Sequence, residues 1–319
     1  MFIRPCFRTF FFAALFLTFC ASGFGQSPAA PSVEAVLDGA SKARAAYLTE
    51  FRDLISEETK TLVVYDKNNE VKKKRVIVST FIVYRIGEGD QGITEFRNVR
   101  SADGKPIADT EKRSQDFLDE IAKAKGSGKG LAKIEKEGSR FDDGLTVSGM
   151  TLFQAAVLAE NLRPLFAFHL DGQDTVNGHN VFVVSYRQTR ESPYISTRPR
   201  TAPDDGKMAL IYDLGIEGSQ ASAARVNGRL WIDRETFQIV KETRILTTRG
   251  KHTSEPANAA ESVLEYGDSA FGILTPVHIT FTQYRPPKDG NGNRKDAAVI
   301  LDYGKFARAN VDVKVVEIK

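Results

Sequence analysis

Cysteine is almost absent. The 319-residue chain has two, Cys6 and Cys20, and both precede residue 26. Once an N-terminal leader is removed, no disulfide, thiol nucleophile or cysteine metal site remains. Tryptophan occurs once and histidine four times. His169, His179, His252 and His278 do not recur at metal-ligand spacing, and no His-Glu-x-x-His run exists. They read as structural or exposed side chains, so no metal and no cofactor is expected. A charge excess is missing too. Residues 1–25 hold Arg4 and Arg8 and no acid, and the remaining 42 basic and 41 acidic side chains leave a net charge of +1. A near-neutral body is not that of a nucleic-acid binder, and no nucleic-acid partner is expected.

Two stretches imitate catalytic motifs and fail on their own positions. In Lys125-Gly126-Ser127-Gly128-Lys129-Gly130, a phosphate loop needs glycine five residues before the Gly-Lys pair and Ser or Thr after it; Lys123 and Gly130 stand there instead. Gly267-Asp268-Ser269 continues with Ala270 and Phe271, and no Gly-x-Ser-x-Gly elbow occurs. No catalytic residue is therefore assigned. The chain reads as non-enzymatic, with an esterase-like hydrolase as the last-ranked alternative.

What is present begins with export. Arg4 and Arg8 precede the apolar run Phe10 to Phe19, and Ala21, Ser22, Gly23 and Gly25 follow. That order is a secretory signal peptide, too short for a membrane span. Residues 1–25 are read as the signal and 26–32 as a linker. The protein is then exported and periplasmic; the alternative is a lipoprotein anchored through Cys20, against which the bulky Phe19 argues.

Val33 to Glu58 carries Val36, Ala40, Ala43, Tyr47, Phe51, Leu54 and Ile55 at three- and four-residue steps and reads as a helix. Strands follow at Leu62–Tyr65, Val76–Ile86 and Ile93–Val99. In the second, Ile77, Phe81 and Val83 share one face and Val76, Val78, Ile82 and Tyr84 the other, so both faces are expected to be covered. Further helices are expected at Glu111–Lys125 and Thr151–Leu162, around a flexible insertion at 126–149 with a short helix near Leu131 to Glu137. Strands then run to the end: Pro164–Asp171, Asn180–Gln188, Arg229–Asp233, Phe237–Thr247, Ala260–Tyr266, Ile273–Tyr284, Ala297–Tyr303 and Phe306–Val316. Turn signals such as Asn177-Gly178 and Asn227-Gly228, with no helices between, predict an antiparallel meander. Ser192 to Gly206 reads as a long flexible loop. Lys72-Lys73-Lys74-Arg75 reads as a solvated hairpin end, with peripheral contact to anionic lipid head groups as its functional alternative.

Several segments together resemble a family. They are Gly178-His179-Asn180-Val181-Phe182-Val183-Val184, Gly228-Arg229-Leu230-Trp231-Ile232-Asp233, Thr236-Phe237-Gln238-Ile239-Val240-Lys241-Glu242 and Leu301-Asp302-Tyr303-Gly304-Lys305-Phe306. Their order, over roughly Pro164 to Val316, resembles the LolA/LppX-like group of exported lipoprotein-carrier folds. The resemblance implies an α+β fold: a curved antiparallel sheet forming an incomplete β-barrel, with helices packed in its concave side, as one domain over 33–319. It also implies a hydrophobic partner, either a lipid-like small molecule or an acylated protein. Phe182, Val184, Trp231, Ile279 and Phe281 are the residues expected to line its cavity. An envelope structural or interaction protein with a filled core is the alternative. Oligomeric state is not legible.

The leader generates the first prediction. N-terminal sequencing of the exported protein should begin near Gln26; a mature chain starting at an acylated Cys20 would contradict it.

Overall fold

The structure, a computed structural model, describes residues 31–85, 93–109, 112, 116, 136, 138–142, 151–197, 203, 205–212, 224–249, 256–285 and 294–308. The leader, most of the 111–149 region, His252 and residues 309–319 lie outside them. Helix α1 spans Val33–Glu50, and Ser32 caps it by accepting the Ala35 N–H at 3.2 Å. Fourteen strands follow among the described residues: β1 (Leu54–Tyr65), β2 (Val71–Arg85), β3 (Ile93–Ala102), β4 (Lys105–Pro106), β5 (Phe166–Val176), β6 (His179–Gln188), β7 (Ile195–Ser196), β8 (Leu210–Ile211), β9 (Arg225–Asp233), β10 (Ile239–Arg249), β11 (Pro256–Gly267), β12 (Thr275–Arg285), β13 (Arg294–Tyr303) and β14 (Ala307–Arg308).

Twelve of them form one open sheet, ordered β4-β3-β2-β1-β13-β12-β11-β10-β9-β6-β5, with β14 beside β1. Its pairs are antiparallel. β9 to β13 run as the expected meander. The chain's first long strand, β1, joins its last, β13, so N- and C-terminal halves share one sheet. Strand twist accumulated over so many neighbours coils an open sheet rather than leaving it flat. Residues Ser32–Lys319 form one compact unit. No helix among the described residues is long and apolar enough to cross a membrane.

The register puts one set of side chains on a single covered face. It runs through Phe81 and Ile77 of β2, Leu62 of β1, Val299 and Leu301 of β13, Leu264 of β11, Leu246 of β10, Leu230 and Ile232 of β9 and Val184 of β6. All are 3% exposed or less. Helix α1 lies on this face through Val36, Leu37 and Ala40, and its last turn stacks Tyr47 on Phe51 at 4.8 Å. On the opposite face, Ile82 and Phe96 are also buried, packed with Ile55 and Tyr84. This is the double coverage expected of β2.

Two expectations need correction. The first helix ends at Glu50, not Glu58, because Asp53 takes a positive φ of 50° and turns the chain into β1. Leu54, Ser56, Glu58, Lys60 and Leu62 share one face of that strand, and the polar residues among them hid its alternation. Thr151–Leu162 is not an α-helix. It contains one short 3-10 turn at Ala156–Leu158, and a second follows at Arg163–Leu165. Ala155, at φ 42°, breaks the helical path, and its N–H goes to the Glu242 carboxylate instead of a backbone carbonyl. The Ser192–Gly206 loop contains β7, which pairs in parallel with β8. The last predicted strand, Phe306–Val316, lies mostly outside the described residues, which end with β14.

Among the described residues α1 is the long helix on the covered face, and the expected helices at Glu111–Lys125 and near Leu131 to Glu137 lie mostly outside the described residues. Irregular chain among the described residues adds to the cover: residues 151–165, Phe141, and the β8 segment with Met208, Leu210 and Tyr212.

Glycine matters at one packed position. A Cβ on Gly228 would lie 2.0 Å from the Thr243 carbonyl oxygen and 2.5 Å from the Tyr186 hydroxyl. Tyr186 lies across that gap and donates to the same carbonyl at 3.0 Å. Gly228→Ala should therefore destabilise the fold by about 1–3 kcal/mol through overpacking, seen as a lowered denaturant midpoint with unchanged slope.

Candidate functional site

Strand parity sorts the five candidate lining residues. Phe182 pairs with Ile232, Val184 with Leu230, Ile279 with Leu264 and Phe281 with Ser262. All four therefore share the covered face. Phe182, Val184 and Ile279 are 5%, 0% and 1% exposed, and Phe281 is half-buried. The two pairs stand four strands apart, roughly 19 Å along the sheet. Trp231 lies between Leu230 and Ile232 and so faces the opposite way. It sits beside Val183 and Lys241, and the Lys241 ammonium, paired with Glu265 at 2.7 Å, lies 5.7 Å from its ring. Its side chain leaves the sheet on the other face from the other four.

The covered face is not purely apolar. Arg97 of β3 donates to both Glu58 oxygens, at 2.7 and 3.0 Å, and to Glu95 at 2.7 Å. Lys60 reaches Asp142 at 2.6 Å. On β10, Arg244 binds Glu242 at 2.7 Å. Glu58 and Glu242 are both 0% exposed. These carboxylates hold the irregular cover. Tyr303 donates to Glu58 at 2.9 Å and meets the Thr151 hydroxyl at 2.6 Å. The Ala155 N–H donates to Glu242 at 3.0 Å, Tyr47 to the Thr151 carbonyl at 3.2 Å, and Arg44 to the Gln154 carbonyl at 3.1 Å. Burial pushes the Tyr303 and Tyr186 phenols well up, and the charges of Glu58 and Glu242 respectively push the same way. Burial lowers the Lys60 ammonium, and Arg97 adds to the shift while Asp142 opposes it.

One gap in the cover remains open. Between α1 and the chain entering β5 lies a groove of about 700 Å³. Leu37, Leu158, Pro164, Phe166 and Phe168 line it together with Ser41 and the buried Arg44, and Glu34, Glu160 and Arg163 stand at its rim. Phe166, Phe168 and Tyr186 form an aromatic trio with centroids 5.7–6.2 Å apart. Arg163 is fixed across the mouth by Asp38 of α1 at 2.7 Å. The volume falls in the range of ligand pockets, and β5 is an edge strand of the sheet. Sequence reading missed these residues. The available signal was the Phe166-x-Phe168 alternation at the start of β5.

The remaining chemistry-bearing residues lie elsewhere. His169, His179 and His278 each face an aspartate, Asp171, Asp233 and Asp302, at 2.9, 3.0 and 2.6 Å. Ser269 donates to the Ile273 carbonyl at 2.5 Å within its own turn. Among the described residues no group of three or more His, Cys, Asp or Glu side chains is placed to hold a metal ion.

No family model matches the chain, and no curated protein matches it. Solved structures similar to it include a DUF1329 family protein from Desulfovibrio piger, at 11% identity over 89% of this chain and 96% of that one, with a TM-score of 0.33. A LolA superfamily protein from Nitrosomonas europaea is similar at 11% identity over 88% and 95%, with a TM-score of 0.37. An outer membrane lipoprotein-sorting protein domain from Vibrio parahaemolyticus is similar at 10% identity over 89% and 96%, with a TM-score of 0.34. The second and third carry the LolA and lipoprotein-sorting names of the group that the sequence resembles.

The buried pair on β10 is testable. Glu242→Ala strands Arg244 in the core and should cost about 3–5 kcal/mol in equilibrium unfolding. Replacing both partners by apolar residues, Glu242→Met with Arg244→Leu, should cost clearly less. Equal losses would mean that the carboxylate's bonds to Ala155 and Tyr186, rather than the charge pair, dominate.

Proposed function

We propose that this chain is an exported, non-enzymatic binding protein for a hydrophobic ligand, a lipid-like molecule or an acyl chain. The observation that carries the reading is the groove between α1 and β5, lined mainly by apolar side chains and charged at its rim. Such a site suits a ligand with an apolar body and a polar end. Phe166 and Phe168 receive the apolar part, and the rim charges meet the head. The groove leads onto the face that carries Phe182 and Val184. Ile279 and Phe281 lie farther along that face and would be reached only if residues 151–165 moved aside.

A second reading has its own observation in favour. Buried charges tie residues 151–155 onto the sheet, so most of the covered face is already filled, as a purely structural envelope protein requires.

Thermal melting with a panel of fatty acids, phospholipids and acylated peptides separates the two. A ligand at a hundredfold its Kd should stabilise the fold by about 2.7 kcal/mol. Phe168→Glu should abolish that gain while the protein still folds. Because Trp231 faces away, its emission should change little on binding. If no member of the panel raises the melt or displaces an apolar fluorescent probe, the filled-core reading stands instead.

A further inference from the structure

The most strongly charged surface among the described residues lies away from the groove, where β1 turns into β2. Burial stops at Leu62 and Val63, and every residue from Lys67 to Lys74 is exposed. The β1–β2 register sets Lys73 opposite Val64 and Lys74 opposite Val63, so the lysines begin where the core ends. The start of β13 is brought to the same place. The Lys295 N–H donates to the Asn69 side chain at 2.9 Å, and its ammonium lies 5.5 Å from the Tyr65 ring. Residues 66–75 and 294–295 together hold seven cations and two carboxylates, and Asp103 pairs with Arg75 at 3.2 Å, which leaves a net charge of +4 in a chain whose total is +3.

One of the two carboxylates is already engaged. Asp66 accepts the N–H groups of Asn68 and Glu70 at 2.8 and 3.0 Å, which fixes the turn. Those bonds hold its carboxyl below the usual range, and Lys67 and Arg294 add to the effect. Among the lysines stands Val71, 58% exposed, the most exposed large apolar side chain of the described residues. A soluble polyanion has no use for an apolar side chain at the centre of its contact. A lipid surface does: cations meet head groups while the apolar side chain enters the interface.

We propose that the β1–β2 hairpin end, with the start of β13, docks the protein on an anionic phospholipid surface. Lys67, Lys72, Lys73, Lys74, Arg294 and Lys295 supply the charge and Val71 the insertion. The surface is separate from the groove, so docking and ligand binding fail independently.

The test is flotation of the exported protein with vesicles. Association is expected with phosphatidylglycerol–phosphatidylcholine vesicles and absent with phosphatidylcholine alone, and added salt should weaken it steeply. The triple variant Lys72→Gln, Lys73→Gln, Lys74→Gln should bind roughly a hundredfold more weakly, while the corresponding Lys→Arg triple keeps binding. Val71→Ser should weaken vesicle binding and leave heparin binding unchanged. Apolar-probe binding in the groove should be the same in every variant. If the Gln triple fails to fold, Lys72→Glu alone carries the charge test. Undiminished vesicle binding in the charge variant overturns the proposal. So does binding to heparin as tight as to vesicles together with no effect of Val71→Ser, which would make the hairpin a general polyanion surface.

Discussion

One face of an eleven-strand path must be kept from water, and α1 with the irregular chain at 151–165 covers part of it. At 1.5 Å per residue α1 is about 27 Å long, whereas ten strand spacings measure about 47 Å before coiling. Irregular chain forms part of the cover, and irregular chain brings backbone groups that no ladder satisfies. This accounts for the polar side chains on an otherwise apolar face. Glu242 receives the Ala155 N–H, Arg44 and Tyr47 donate to the carbonyls of Gln154 and Thr151, and Tyr303 links Glu58 to Thr151. Arg97 and Arg244 then balance the buried carboxylates, because an unpaired charge there is far more costly than a paired one.

The groove follows from the same shortage. Cover is thinnest at the β5 edge, where α1 begins and the 3-10 turns lead into the strand. There Leu37, Leu158 and Phe166 are shielded from one side by protein and border open space on the other. A larger helical layer would close this edge. A site at an edge can take a ligand without disturbing the strap, whereas one deeper in the sheet displaces residues 151–155 and takes the Ala155 N–H from Glu242. The energetic boundary between a shallow and a deep site is thus the strap held by Glu242 and Glu58.

The opposite face obeys ordinary solvent rules over most of its width. Its histidines meet aspartates, its threonines line β10 and β12, and Trp231 is half-buried beneath Lys241. Near β2 and β3 the rule changes, and Ile82 and Phe96 are buried there as well. The cationic hairpin lies at the other end of β1 and β2, beyond Leu62 and Val63.

Much of the fold was legible in residue order alone. Alternation in β6, β10, β12 and β13, the Asn177-Gly178 turn at positive φ and the lack of intervening helices determine an antiparallel meander, because side-chain period and turn chemistry are local properties. Cysteine placement and the Arg4-to-Gly25 pattern are likewise local. Only the tertiary structure decided the rest. Strand alternation separates Trp231 from Leu230 and Ile232, but which parity faces the cover depends on where α1 lands. The stripe through Phe51, Leu54 and Ile55 suits a helix and a strand alike, and the turn at Asp53 settles it. Residues 151–162 have the composition of a helix, yet a carboxylate 87 residues away takes a backbone N–H that a helix would use. Groove and ion pairs are products of such long-range meetings, and local sequence holds no record of them.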